Sequence, residues 1–177
     1  MYEIGDTVIY RNDGVCTITE ITVRMFKDKE TEYYVLNPVH NKNAEIFVPK
    51  ANSDLVSKMR KVLTKDQIMD IIEAMPQENS IWITNESERK EKYKEILSLG
   101  DRKELVRLIK TLYIHKQNQK QCGRKLHLAD EKLLRDAEKI LYDEFSFVLG
   151  IKPDEVIDFI TTKLNSWWKR DRATAVL

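Results

Sequence analysis

Ile4-Gly5-Asp6-Thr7-Val8-Ile9-Tyr10, Glu32-Tyr33-Tyr34-Val35-Leu36 and Ala44-Glu45-Ile46-Phe47-Val48-Pro49, all within residues 1–50, are the runs that decide the fold. Each is short, rich in Val, Ile, Thr and Tyr, and set off from the next by Gly, Asn or Asp. That pattern predicts the strands of a small antiparallel sheet or barrel. Gly5-Asp6 predicts a tight turn into the first strand, and Arg11-Asn12-Asp13-Gly14 predicts a second turn out of it, its Asp-Gly a hairpin signal. Residues 15–25 are long for a strand in so small a module. Their alternation is imperfect, with Val15, Thr17, Thr19, Ile21 and Val23 on one parity and Ile18 on the other, so a bulge or strong coiling is expected there. Polar loops at 27–30 and 40–43 complete the connections.

In the last of these strands, period-two alternation puts Ala44, Ile46 and Val48 on one face and Glu45 and Phe47 on the other. With the first set in the core, Phe47 points outward. An outward aromatic is either an isolated surface residue or a hydrophobic anchor for a protein partner, with the strand edge offered for pairing. Pro49 removes a ladder donor and ends the strand.

Beyond Leu63 the period changes to that of helices. Thr64-Lys65-Asp66-Gln67 is a capping box, followed by Ile68, Ile71, Ile72 and Met75 at helical spacing, and Pro76 stops the helix. Residues 77–85 read as non-helical and carry Ile81-Trp82-Ile83. Trp82 is expected either to pack between helices or to be displayed against a partner. A second helix, about 86–99, carries Tyr93, Ile96 and Leu97 inward and ends at Gly100. Asp101 and Glu104 cap a third, to about Gln119, with Leu105, Leu108, Ile109, Leu112 and Tyr113 inward and Arg102, Lys103, Arg107 and Lys110 more exposed. A fourth, about 129–149, is closed by Gly150, and Pro153 opens a fifth. The chain ends in a basic aromatic run, Trp167-Trp168-Lys169-Arg170.

The 177 residues, 42% of them hydrophobic, suffice for one or two packed cores. No apolar run approaches the roughly 20 residues of a membrane span, and the first residues do not resemble a signal peptide, so a cytoplasmic protein is expected. Cys16 and Cys122 are far apart, and His40, His115 and His127 stand singly, so neither a metal site nor a catalytic constellation is expected. Nor is there a Gly-rich phosphate loop. The formal charge of +1 averages blocks of opposite sign. Residues 89–125 hold 12 Lys and Arg against 4 Asp and Glu, a net of +8, and acidic segments flank them. A basic block between acidic ones reads as a solvated helix face or a phosphate-facing surface. A binding protein is the class these features favour over an enzyme, including a metal-dependent nuclease.

Ile4-Gly5-Asp6-x-Val8-Ile9-Tyr10 with Gly14, Tyr33-Tyr34-Val35-Leu36 and Ile46-x-Val48-Pro49 together resemble the RNA polymerase-interacting domain of CarD-like bacterial transcription regulators, a module shared with the transcription-repair coupling factor. Arg89, Leu97-x-x-Gly100-Asp101, Ile109-x-x-Leu112, Leu126 and Ala137-x-x-Ile140-Leu141-x-x-Glu144 follow in the order of the CarD helical domain, so the resemblance covers about residues 1–150. It implies an α+β chain. A small antiparallel Tudor/SH3-like β barrel (1–63) docks on the lobe of the polymerase β subunit. A compact domain of about five helices (64–177) contacts promoter DNA at the upstream edge of the transcription bubble and modulates open-complex stability.

The residues so implied are Arg24, Glu45, Ile46 and Phe47 toward the polymerase, and Trp82, Arg89, Lys90, Lys92, Lys132 and Arg135 toward DNA. Many members place a DNA-wedging tryptophan three residues before the arginine matching Arg89. Here that position is Glu86, so either Trp82 reaches the same place by another loop path or the wedge is missing. The resemblance implies no cofactor, no small-molecule substrate and no membrane, and association with the nucleoid through the polymerase. A protein–protein adaptor that does not touch DNA is the alternative.

Overall fold

Two compact units divide the chain, Met1–Val62 and Leu63–Leu177. The structure, a computed structural model, describes residues 1–41 and 43–174. Lys42 of the expected 40–43 loop, residues 175–177, and the side chains of Asn12 and of 166–174, with the basic aromatic end, lie outside the described residues.

The first unit is a five-stranded antiparallel sheet: β1 (Thr7–Tyr10), β2 (Val15–Phe26), β3 (Lys29–Pro38), β4 (Ile46–Pro49) and β5 (Met59–Lys61), with the short helix α1 (Ser53–Val56) before β5. The strand order is β4-β3-β2-β1-β5, so β4 and β5 are the outer strands. Val48 from one outer strand and Met59 from the other nevertheless share one core with Val8, Tyr10, Cys16, Ile18, Tyr34 and Leu36. The sheet must therefore coil round that core, as in a Tudor-like barrel. The register of β2 against β3 shifts between Ile18 and Glu20. The extra residue, Thr19, moves the inward parity from Cys16 and Ile18 to Ile21, which is why the sequence alternates imperfectly.

The connections differ in detail from the sequence expectations. Between β1 and β2 the turn expected over residues 11–14 is present, as a 3-10 turn, Arg11–Asp13, followed by Gly14. Arg11 and Gly14 take φ of 48° and 73°, and the Tyr10 N–H donates to the Gly14 carbonyl across the turn. Between β2 and β3, Lys27 and Asp28 both have positive φ, 49° and 60°, the conformation whose twist suits a tight hairpin. β4 begins at Ile46, so Ala44 and Glu45 precede the strand. The Ala44 N–H instead closes a turn on the Asn41 carbonyl.

Among the described residues the second unit holds five α-helices: α2 (Lys65–Ala74), α3 (Glu86–Leu99), α4 (Arg102–Gln121), α5 (Leu128–Leu149) and α6 (Val156–Thr174). Their ends are where the sequence signals them. Thr64 and Gln67 form the reciprocal capping box, and Asn85 and Asp101 accept from the backbone N–H groups of Glu88 and Glu104. Gly100 and Gly150 adopt the left-handed cap at φ of 61° and 70°. Helix α5 is the spine, because it feeds two cores. Leu133, Leu134 and Ala137 pack with Tyr93, Ile96, Leu105, Leu108 and Leu112, while Leu141 and Phe145 pack with Ile68, Ile72, Val106, Val156 and Ile160.

Two expectations about α4 are corrected. Tyr113 is 52% exposed rather than inward. It lies on the same side of the helix as Val106 but two turns further on, where the second core no longer has residues to meet it. Arg102, Arg107 and Lys110 are engaged rather than free. The Arg102 guanidinium makes a two-pronged ion pair with Glu144, and Glu144 also accepts the Leu63 N–H at 2.9 Å. Arg107 pairs with Glu104. The Lys110 ammonium donates to the carbonyls of Met75, Pro76 and Glu78, holding the end of the α2 segment against α4.

Candidate functional site

On the sheet unit, β3 alternates between faces, and Phe47 on β4 stands opposite Val35, on the face away from the core shared by Tyr34 and Leu36. Phe47 is half-buried there, edge-on to Tyr33 at 6.2 Å. The Arg24 guanidinium, reaching from β2, covers its ring at 3.9 Å. Arg24 and Phe47 thus form one cation–π surface. The Lys50–Glu32 ion pair, at 3.0 Å, lies where the chain leaves β4, the Lys50 N–H also bonding to the Glu32 carbonyl. Glu45 is exposed just before the strand, whereas Ile46 packs against the core. Ile46 therefore belongs to the barrel interior rather than to the outer surface, because it shares the parity of Val48.

On the helical unit, the connection before α3 is built into the protein. Tyr93 donates its hydroxyl to the Ile81 carbonyl, and the Ile81 N–H donates to Thr111, itself buried on α4. Trp82 follows and is half-buried. One face of its indole stacks on His115 at 3.6 Å between centroids, and the Arg89 guanidinium lies over the ring at 4.4 Å. Burial, the largest influence, pushes the His115 pKa below its ordinary value; the Asp130 carboxylate opposes this and Arg89 reinforces it.

Arg89 is only 5% exposed. Its Nε and Nη2 bond both carboxylate oxygens of Asp130 at 3.0 Å, and Nη1 donates to the carbonyls of Ile83 and Thr84. The expectation for Arg89 is corrected here, and of the two readings of Trp82 the packed one holds. Arg89 is not at a phosphate-facing surface, since its donors are taken up internally. Trp82 does not stand out as a wedge, because His115 and Arg89 occupy its ring.

The other basic candidates divide by their partners. Lys92 is paired with Glu95 at 2.8 Å, and Arg135 approaches Glu131 at 3.8 Å. Lys90 and Lys132 come together across α3 and α5, at a groove of about 330 Å³ lined by Lys90, Lys94, Leu97, Lys132, Leu133 and Asp136, with Ala129 beside them. Sequence reasoning missed Lys94, although its i+4 spacing from Lys90 puts both on one helix face. It also missed Asp130 and His115, whose roles depend on contacts remote in sequence. Among the described residues no group of three His, Cys, Asp or Glu could hold a metal ion, and no helix is long and apolar enough to cross a membrane.

The family described as the CarD-like/TRCF RID domain matches residues 2–63, and the family described as the CarD C-terminal domain matches residues 67–161. Together they define a transcription regulator that acts through RNA polymerase. The chain belongs to the CarD-like family. A curated relative, "Putative transcription factor YdeB" of Bacillus subtilis (strain 168), is 23% identical over 167 residues, covering 90% of this chain and 99% of that protein.

Proposed function

We propose that residues 1–63 dock on the lobe of the polymerase β subunit and that residues 64–177 contact promoter DNA at the upstream edge of the bubble, modulating open-complex stability. The observation that carries the first half is the Arg24–Phe47 surface on β4, an outer strand of the sheet. An aromatic under a guanidinium beside an available strand edge suits a protein partner that adds a strand and inserts side chains between them. The DNA contact is supported by Lys90 and Lys132, which line one groove of the helical unit. Phosphates position a protein without specifying bases, so the polymerase supplies promoter choice, and the chain resides at the nucleoid through it. Catalysis has no part in this reading.

A second reading, an adaptor that binds polymerase without touching DNA, is favoured by the internal placement of Arg89 and Trp82. The lifetime of polymerase–promoter open complexes, measured with competitor over a range of chain concentrations, decides between them. A lifetime altered by the wild-type chain and restored by Lys90→Gln/Lys132→Gln supports DNA contact. A lifetime altered equally by both chains favours the adaptor.

A further inference from the structure

The chain passes from one unit to the other through a connection that is fixed at both ends. On the sheet side, β5 is paired with β1 up to its last residue, Lys61, which stands opposite Val8. On the helical side, the Leu63 N–H donates to Glu144 Oε1 at 2.9 Å, and the Leu63 side chain packs on the core of α2, α5 and α6. The next N–H, that of Thr64, is held by Gln67 Oε1 in the capping box. Only Val62 separates Lys61 from Leu63. One residue carries two soft dihedrals, so little freedom is left between the fixed positions. The acceptor is a costly one to place there. Glu144 lies on α5, 81 residues from Leu63, with its side chain 3% exposed. Arg102, the first residue of α4, neutralises it through Nε at 3.0 Å and Nη2 at 2.8 Å. Glu144 Oε1 takes both the Arg102 guanidinium and the Leu63 N–H. Water satisfies the N–H of an ordinary surface connection equally well, so solvation alone does not call for a buried ion pair at this point.

We propose that the Arg102–Glu144 pair is a clasp on the entering chain, fixing Leu63 to the helical unit and confining motion of one unit against the other to the backbone around Val62. Arg102 and Glu144 are positioning residues and touch neither polymerase nor DNA. With the clasp closed, a sheet unit docked on the polymerase presents the helical unit in a narrow range of orientations. A long flexible tether would instead dilute it over a large volume, lowering its effective concentration at the promoter. This orienting role rests on the function proposed above, whereas the clasp itself does not.

The test is the distance distribution between two nitroxide labels on the full chain, measured by pulsed dipolar electron spin resonance. One label sits on the exposed Cys122 and the other on Glu30→Cys, an exposed position of the β2–β3 hairpin, while Cys16 is buried and stays unlabelled. Insertion of Gly-Ser-Gly-Ser after Val62 is expected to broaden the distribution about twofold, following the square root of the free length. Arg102→Met/Glu144→Met removes the clasp without stranding a charge, and is expected to broaden it about 1.5-fold with the helical circular dichroism unchanged. A double variant with the wild-type width overturns the clasp, as does a wild type already as broad as the insertion variant. Hydrogen exchange supplies a reading that needs no substitution. The Leu63 amide is expected to be protected in the wild-type chain, and exchange at the rate of an open loop overturns the clasp. The orienting role is read separately. The double variant is expected to keep wild-type affinity for the polymerase β-subunit lobe and to lose most of its effect on open-complex lifetime. A double variant that is broadened yet acts on the lifetime as wild type does overturns the orienting role. A wild-type chain without effect on the lifetime overturns the proposed function and the orienting role with it, while the width still decides the clasp.

Discussion

Arg89 and Asp130, 41 residues apart in sequence, meet in a buried two-pronged ion pair whose side chains are 6% and 5% exposed. The same guanidinium caps the carbonyls of Ile83 and Thr84 and lies over Trp82, so one residue joins α3, α5 and the connection before α3. Removing one member strands a charge in a low-dielectric interior. Asp130→Asn is expected to cost about 3 kcal/mol of stability, and Arg89→Met/Asp130→Leu to be less destabilised than Asp130→Asn alone. Urea unfolding followed by circular dichroism measures both; a loss under about 1 kcal/mol in Asp130→Asn contradicts the assignment.

Lys110 holds the Met75, Pro76 and Glu78 carbonyls with a single ammonium. Lys110→Met keeps most of the stem packing and removes those bonds, with an expected loss of about 2 kcal/mol. Hydrogen exchange should speed up locally in residues 75–81. Unchanged protection there would show that the segment is held by other means.

The stack of Trp82 on His115 makes stability depend on pH. Burial lowers the folded-state pKa of His115 below its ordinary 6.5, so the unfolded chain takes up the proton first as pH falls. The neutral ring's contribution is complete above about pH 6.5 and is lost as pH falls through that value toward the folded-state pKa. The urea midpoint should decline between about pH 7.5 and 5, and His115→Gln should flatten part of that decline. NMR titration of the imidazole supplies the direct check: a pKa at or above 6.5 contradicts the stack's effect.

The two thiols should differ sharply in reactivity. Cys16 is buried in the barrel core, where burial, aided by the charge of Asp13, pushes its pKa up to about 12, while Cys122 is exposed. Because the thiolate is the nucleophile, a disulfide reagent at about pH 8 should modify Cys122 promptly and Cys16 only on unfolding. Rapid native labelling in Cys122→Ser would mean that the barrel opens far more readily than its core suggests.

What the sequence revealed, and what it hid, follows from the range of the interactions. Strands, the Thr19 bulge, the Thr64 and Gln67 capping box and the Gly100 terminus are written in neighbours a few residues apart, where period and capping chemistry act. The outward side of Phe47 came from the same alternation. Charge was the misleading signal. Arg89, Arg102 and Lys110 look the same in sequence whether they face water or a partner elsewhere in the fold, and their partners Asp130, Glu144, Met75, Pro76 and Glu78 lie between 32 and 42 residues away, out of reach of any local pattern. The basic block therefore read as more surface than it is. Trp82 was ambiguous for the same reason, since its partner His115 is on a different helix.

The Arg24–Phe47 surface is the proposed polymerase contact. Affinity of the full chain for the polymerase β-subunit lobe, measured by biolayer interferometry for wild type, Phe47→Ala and Arg24→Glu, tests it. Both positions lie off the barrel core, so both variants should fold. Each is expected to weaken binding about tenfold or more, as for an aromatic and an arginine at an interface centre. Wild-type affinity in both folded variants would contradict the claim.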